Sequence, residues 1–236
     1  MPSNERLQLS AAPGAAPDRG TLWGGIQAPQ RDSGAAAAAE APLRYKARVR
    51  SSCWDRRGSE VKIRDLERHE LNDIWLIDRA EVIDKVYYHD DEGLVLKREQ
   101  HDVHGWPAGE PGHYGPILLD CFDRGGTLYG AFHGETLIGA MMLESRFIGR
   151  EKDQLQLKFL HVSRHYRKEG LGRTLFDKAV GRASELGARR LYISATPSEN
   201  TVRFYLRCGC RVTDDVDAAL FELEPKDIHL KFDIPV

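Results

Sequence analysis

The segment that most limits what this chain can fold into runs from Leu157 to Val180, LKFLHVSRHYRKEGLGRTLFDKAV. An apolar run ending at Val162 reads as a strand, and the residues from Gly170 to Leu186 read as an amphipathic helix. Between them lies Arg167-Lys168-Glu169-Gly170-Leu171-Gly172. Glycines at such a turn let backbone N–H groups approach a ligand closely, and the helix N-terminus adds partial positive charge. Arg164, Arg167, Lys168 and Arg173 surround the turn with Glu169 as the one acid, which suits a pyrophosphate. The turn lacks both the Gly-Lys-Ser/Thr ending of a nucleotide-hydrolysing loop and the three glycines of a dinucleotide fingerprint, so neither function is supported.

The flanking sequence supplies a sheet. TLYGAFH, TLIGAMMLESRFI and QLQLKFLHV read as consecutive antiparallel strands across residues 127–163, separated by turns at Gly134 and Gly149–Asp153. Upstream, Val61–Asp65 alternates as a strand. From Glu67 to Val86, the spacing of Leu71, Ile74, Trp75, Ile77 and Ile83 predicts a helix. An extended piece near Leu94–Leu96 and a helix over Tyr114–Phe122 follow. Downstream come a strand (Arg190–Ala195), a helix (Ser198–Arg207), a strand (Cys210–Thr213) and a last strand (Asp227–Ile234). This order predicts an α/β (α+β) fold: a mixed, mostly antiparallel central sheet with helices on both faces.

Residues 1–43 contain 11 Ala, 5 Gly and 5 Pro and read as a disordered tail, because such a stretch buries too little apolar surface to offset its ordering entropy. Residues 44–60 read as a basic linker, leaving 61–236 as a single domain. No apolar run reaches the roughly 18 residues of a membrane span, and the N-terminus has no secretory pattern, so a cytoplasmic protein without membrane contact is expected. Cys53, Cys121, Cys208 and Cys210 read as free thiols, with Cys208 and Cys210 as small buried hydrophobes at a turn and no metal. The 34 basic and 36 acidic residues lack the basic face that nucleic acid requires. Residues 61–150 are acidic, with 17 acids against 10 bases, which favours a cationic partner through steering.

Arg167, Gly170 and Gly172 match the pattern Arg or Gln, x, x, Gly, x, Gly or Ala, and the segment resembles motif A of the GNAT N-acetyltransferases. LYISATPSENTVRFYLRCGCRV resembles the same family's motif B, with Asn200 opening a helix, then Phe204-Tyr205 and a turn at Gly209. The two motifs stand at the family's spacing, and the resemblance spans about Val61 to Ile234.

The resemblance implies a GNAT-like sheet whose fourth and fifth strands splay into a cleft, with acetyl-CoA as cosubstrate. The backbone of Arg167, Lys168, Glu169, Gly170, Leu171 and Gly172, with Arg173 and Thr174 opening the helix, would cradle the pyrophosphate. Leu160 and Val162 would pair with the pantetheine arm. Asn200 would contact the cofactor arm or cap its helix. The chemistry implied is direct attack of an amine on the thioester, with Tyr205 as general acid. Lys158 stands where many members carry a Glu, so the base is open between Glu144 and His161, while His101, Asp102 and His104, near Trp106, would border the acceptor cleft. The acceptor is an unidentified amine, of the kind of a polyamine, aminoglycoside or lysine side chain, and residues 227–234 would serve a homodimer. Two other readings stand beside this one: a non-catalytic acyl-CoA-binding module, which Lys158 motivates, and an interaction protein docking through its tail and linker.

Overall fold

The computed structural model describes residues 52–54, 60–91 and 93–235; the predicted tail and most of the predicted linker lie outside them. Among the described residues ten strands form: β1 (Ser52–Trp54), β2 (Glu60–Asp65), β3 (Glu81–Asp90), β4 (Gly93–Val103), β5 (Thr127–His133), β6 (Thr136–Ile148), β7 (Gln154–Val162), β8 (Arg190–Ala195), β9 (Arg211–Val212) and β10 (Ile228–Asp233). Four α-helices join them: α1 (Glu110–Asp123), α2 (Leu171–Glu185), α3 (Glu199–Cys208) and α4 (Ala218–Leu223), with 3-10 turns at Arg68–Leu76 and Arg164–Tyr166. Eight strands make one sheet in the order β1-β2-β5-β6-β7-β8-β10-β9, and β3 and β4 form a separate ribbon. The sheet is antiparallel except between β7 and β8.

Both faces of the sheet are covered, as the sequence predicts. On one face α2 buries Leu171, Leu175, Phe176, Ala179, Val180 and Ala183 against Met141, Leu143, Leu155, Leu157, Leu191 and Ile193. On the other, Leu71 and Ile74 of the 3-10 helix and Leu118 and Cys121 of α1 pack against Leu128, Ala140, Met142 and Phe159.

Leu157 and Phe159 are two residues apart and would share a face in a regular strand. They face opposite ways because the register jumps from Met142↔Phe159 to Leu143↔Leu157, leaving Lys158 as a bulge. A second jump, from Leu143↔Leu157 to Phe147↔Leu155, bulges Glu144–Arg146 on β6. Bulges bend a strand and raise its twist. β7 accordingly pairs with β8 only from Gln154 to Gln156 and then parts from it. β8 stays paired with β10 along its whole length, from Arg190↔Asp233 to Ala195↔Ile228. The gap between β7 and β8 therefore widens toward Val162 and Ala195.

Three expectations change. The helix predicted over Glu67–Val86 stops at Leu76, since Asp78 Oδ1 accepts from the Ala80 N–H at 2.9 Å in a turn, and Val82, Ile83, Val86 and Tyr87 continue as β3. A strand, β1, falls within the stretch read as linker. Helix α4 was not foreseen; Asp217 caps it, accepting from the Ala219 and Leu220 N–H groups. Cys121, Cys208 and Cys210 are buried and reduced, the last two on either side of Gly209, whose φ of 98° ends α3.

Gly130 of β5 is placed for close packing: a Cβ there would meet Leu66, Phe132 and Leu137 at 2.8 to 2.9 Å. Gly130→Ala is expected to destabilise the fold by about 1–3 kcal/mol, measured as a lowered midpoint in urea unfolding.

Candidate active site

The backbone of β7 presents an open edge. Ser163 N–H donates to Ile138 O at 2.8 Å and Val162 stands opposite Gly139, so the N–H and C=O groups of Val162 and of Leu160, two residues away, point away from β6. They face the gap that β8 has left. Val162 O is taken by Arg167 Nε at 2.9 Å, which leaves both peptide groups of Leu160 and the Val162 N–H along the edge.

At the end of that edge, Lys168 and Gly170 both adopt positive φ, 64° and 92°, and turn successive amides toward one side. The first intrahelical bond of α2 runs from Thr174 N–H to Gly170 O, so the amides of Leu171 and Gly172 open outward at the helix start. A Cβ on Gly170 would meet nothing within 4 Å, whereas one on Gly172 would lie 3.4 Å from the Phe204 ring. Gly170 thus leaves the mouth of the turn open, and Gly172 lets α2 and α3 approach.

The side chains around this turn do not all point where the sequence predicts. Arg167 faces inward, donating to Val162 O, to Ala80 O at 3.1 Å and to Asp78 O at 3.4 Å, with Glu81 3.7 Å away. It fastens the turn to the start of β3 and does not reach an anion. Arg173 binds Asp177 at 2.7 Å, and Thr174 Oγ1 donates to Gly170 O. Leu171 is buried, Glu169 half-buried and Lys168 exposed. With Arg167 and Arg173 bound to protein groups, the Leu171 and Gly172 amides stand open at the turn. Asn200 is not the cap of α3: Ser198 Oγ accepts the Thr201 N–H, and Asn200 Nδ2 donates to Glu81 Oε1 at 2.7 Å.

The bulge at Lys158 carries His161 onto the face with Phe159 and away from Leu157. There His161 lies 4.9 Å from Trp106 and 4.6 Å from Phe159 between ring centroids. Burial first, then the charges of Arg79 and Arg167, push its pKa down to about 3, so the imidazole is neutral across the physiological range. Trp106 donates to Ile77 O at 3.0 Å, and Arg79 stacks over its ring. Asp102 and His104 are exposed, and neither joins this wall.

Glu144 is a poor candidate for a base. Its carboxylate accepts both Nη groups of Arg124 at 2.8 and 3.0 Å and the Ser145 N–H at 2.8 Å, and Lys158 Nζ stands 3.6 Å away. Burial alone would raise its pKa, but Arg124, the Ser145 N–H and Lys158 together hold it down to about 2. A carboxylate committed in this way anchors the bulge. Tyr205 of α3 is 6% exposed, and its hydroxyl makes no hydrogen bond among the described residues. Burial, then the neighbouring Cys210, Cys208 and Asp227, keep the phenol protonated well above its ordinary range.

Sequence reasoning missed Arg79, Glu110, Tyr114, Glu224 and Asp227, all buried within electrostatic reach of this region. They come from three separate segments, and no local spacing links those segments. The last predicted strand, β10, lies between β8 and β9, so the exposed sheet edge on that side is β9. Among the described residues no His, Cys, Asp and Glu side chains cluster to hold a metal, and no helix is long and apolar enough to cross a membrane.

An open strand edge leading into an amide-lined turn at a helix start suits an extended, amide-bearing ligand that ends in an anion. Residues 66–210 match the model of the acetyltransferase (GNAT) family, and the chain belongs to that family of N-acetyltransferases. Similar solved structures include a nourseothricin acetyltransferase, 17% identical with a TM-score of 0.56, and a Bacillus anthracis protein in complex with acetyl coenzyme A, 16% identical with a TM-score of 0.58; each match covers 74% of this chain and 99% of the other. The PaiA N-acetyltransferase of Thermoplasma acidophilum, in complex with coenzyme A, is 18% identical with a TM-score of 0.51 over 73% of this chain and 98% of that one. No curated protein matches the sequence.

Glu144 has a folded pKa below its ordinary value, so its stabilising contribution is complete above about pH 4.5 and is lost as pH falls toward about 2. Arg124→Ala strands that buried anion and is expected to cost about 3 kcal/mol at pH 7 in urea unfolding, with the deficit shrinking as the pH is lowered through this window.

Proposed function

We propose that this N-acetyltransferase transfers acetyl from acetyl-CoA to a primary amine by direct attack on the thioester. The observation that carries the reading is the continuity of the Leu160–Val162 edge with the turn at Lys168–Gly172. The pantetheine amides pair with the Leu160 peptide groups and the Val162 N–H, and the pyrophosphate rests on the amides that open at the start of α2. The coenzyme A species held by two of the similar structures support this donor.

With the arm laid along β7, the thioester lies in the gap between β7 and β8. Tyr205 of α3, the helix that follows β8, gives its phenolic proton to the departing thiolate. The rings of Trp106, Phe159 and His161 wall the acceptor side. The neutral imidazole offers the incoming amine a hydrogen-bond acceptor without repelling it.

A non-catalytic acyl-CoA-binding role has one observation behind it, the Glu144–Lys158–Arg124 group that locks the charges on the bulge. Acetyl-CoA-dependent thiol release in the presence of an amine removes that reading.

Calorimetric titration with acetyl-CoA is expected to show binding to the parent and none to Gly170→Glu, whose side chain places a negative charge at the mouth of the turn; equal binding by both would sink the donor site. Tyr205→Phe is expected to keep acetyl-CoA affinity and lower kcat about 100-fold in a thiol-release assay.

A further inference from the structure

Arg79 is a buried cation without an ion-pair partner among the described residues. Its side chain is 8% exposed, Nη1 is buried with no hydrogen-bond partner, and the guanidinium makes no hydrogen bond at all among the described residues. The acids beside it in the chain are taken. Asp78 accepts the Ala80 N–H at 2.9 Å and lies 3.4 Å from Arg164, while Glu81 accepts from Asn200 at 2.7 Å and lies 3.7 Å from Arg167. Glu110 acts on the guanidinium only from beyond ion-pair distance. What the guanidinium does meet is a ring: its carbon lies over Trp106, 5.0 Å from the centroid. An indole face attracts a cation but offers no lone pair to its N–H groups. Because arginine stays charged, burying those N–H groups unbonded is costly, and a ligand that supplies an anionic acceptor removes the cost.

The backbone fixes where that charge stands. Arg79 lies between two carbonyls, Asp78 O and Ala80 O, that both accept from Arg167, and Asp78 O also accepts the Arg164 N–H at 2.8 Å. Its segment is thereby tied to the residues that follow β7. Trp106, held by its bond to Ile77 O at 3.0 Å, meets His161 at 4.9 Å, Phe159 at 5.9 Å and Trp75 at 4.9 Å between ring centroids. The guanidinium therefore sits one ring away from His161, on the aromatic wall assigned above to the acceptor. Trp106 and Trp75 pack on the Phe159 face of the sheet, whereas α2, whose first amides open at the glycine turn, packs on the other.

We infer that the acceptor is an amino carboxylate, a molecule carrying a carboxylate as well as its amine, and that Arg79 binds the carboxylate while the rings of Trp106 and Phe159 cover the carbon skeleton. This assignment rests on the acetyl-transfer reading above and names its acceptor class and a residue that selects it. A planar guanidinium presents paired N–H groups that match the two oxygens of a carboxylate. A buried site of this kind discriminates strongly, because an acceptor without the anion leaves the charge unbonded. The 17 acids against 10 bases in residues 61–150 steer a cation on approach, but at contact the buried guanidinium is there to be met.

The test uses two matched pairs of acceptors in acetyl-CoA-dependent thiol release: L-phenylalanine against phenethylamine, which lacks only the carboxylate, and 4-aminobutyrate against n-butylamine, which has a methyl group in its place. Alongside, calorimetry measures binding of 3-phenylpropanoate, a carboxylate with no amine, to the protein loaded with coenzyme A. The parent is expected to favour the carboxylate-bearing member of at least one pair by more than about tenfold in kcat/KM, and to bind 3-phenylpropanoate. Arg79→Gln is expected to raise KM for that acceptor about 30-fold with kcat little changed, and to abolish 3-phenylpropanoate binding; Arg79→Lys, which keeps the charge without the fork, falls between. Circular dichroism checks that each variant is folded, and should Arg79→Gln not fold, Arg79→Lys carries the test, where a KM equal to the parent's overturns the assignment. Equal use of both members of each pair by the parent overturns it, as does an equal rise in KM for both members in the variant, which makes Arg79 a prop for Trp106. A folded Arg79→Gln that has lost acetyl-CoA affinity assigns the guanidinium to the donor and overturns it too. A parent that binds acetyl-CoA and 3-phenylpropanoate but acetylates none of the four amines overturns the transfer reading and leaves the carboxylate site standing, so the two failures are distinct.

Discussion

The loss of pairing between β7 and β8 after Gln156 is the constraint on which the site depends. A sheet held together along its full length would satisfy the Leu160 and Val162 peptide groups internally and leave no room for a ligand. Here one bulge on β7 and one on its neighbour β6 break the regular register, and the tie between β8 and β10 holds the other wall in place. The bulges sit next to a charge group in which Arg124 at the end of α1 and Lys158 of β7 flank the buried Glu144 of β6, and Asp120 of α1 also pairs with Arg124. Such a group adds little net stability compared with apolar packing, but losing one partner strands a buried charge, so it ties the helix and the two strands to one register.

The same economy explains Arg167. Its guanidinium bridges the end of β7 and the start of β3, and Glu81, its neighbour there, also receives the amide of Asn200 from α3. One arginine therefore sets the glycine turn relative to the ribbon and to the helix that carries Tyr205. Its positive charge is consumed in building the turn, and the main-chain amides, whose direction cannot wander, are left to meet an anion.

Much of the sheet was legible before any coordinates. Strands β5, β6, β7 and β8 and helices α2 and α3 stand where alternation and helical spacing place them, because each buries a regular apolar face. The region from Glu67 to Val86 misled, since Leu71, Ile74 and Ile77 do follow a helical period and only the side-chain turn at Asp78 ends it. Helix α4 is short, with no buried residue, and so left no periodic trace. Among the site residues, the glycines and Tyr205 were visible through their motifs, whereas the faces of His161 and Phe159 were not. A bulge reverses every side chain beyond it, and nothing local in Leu157–Val162 announces one.

The sequence by itself determined the family, the glycine turn at the start of α2 and the order of strands that brings β7 beside β8. These depend on short-range chemistry: backbone freedom at glycine, apolar periodicity and helix ends. Only the tertiary structure decided which charges remain available. It locked Glu144 to Arg124 and Lys158, turned Arg167 inward and buried Glu110, Glu224 and Asp227. Proton affinity is set by burial and by neighbours across the fold, which no spacing along the chain encodes.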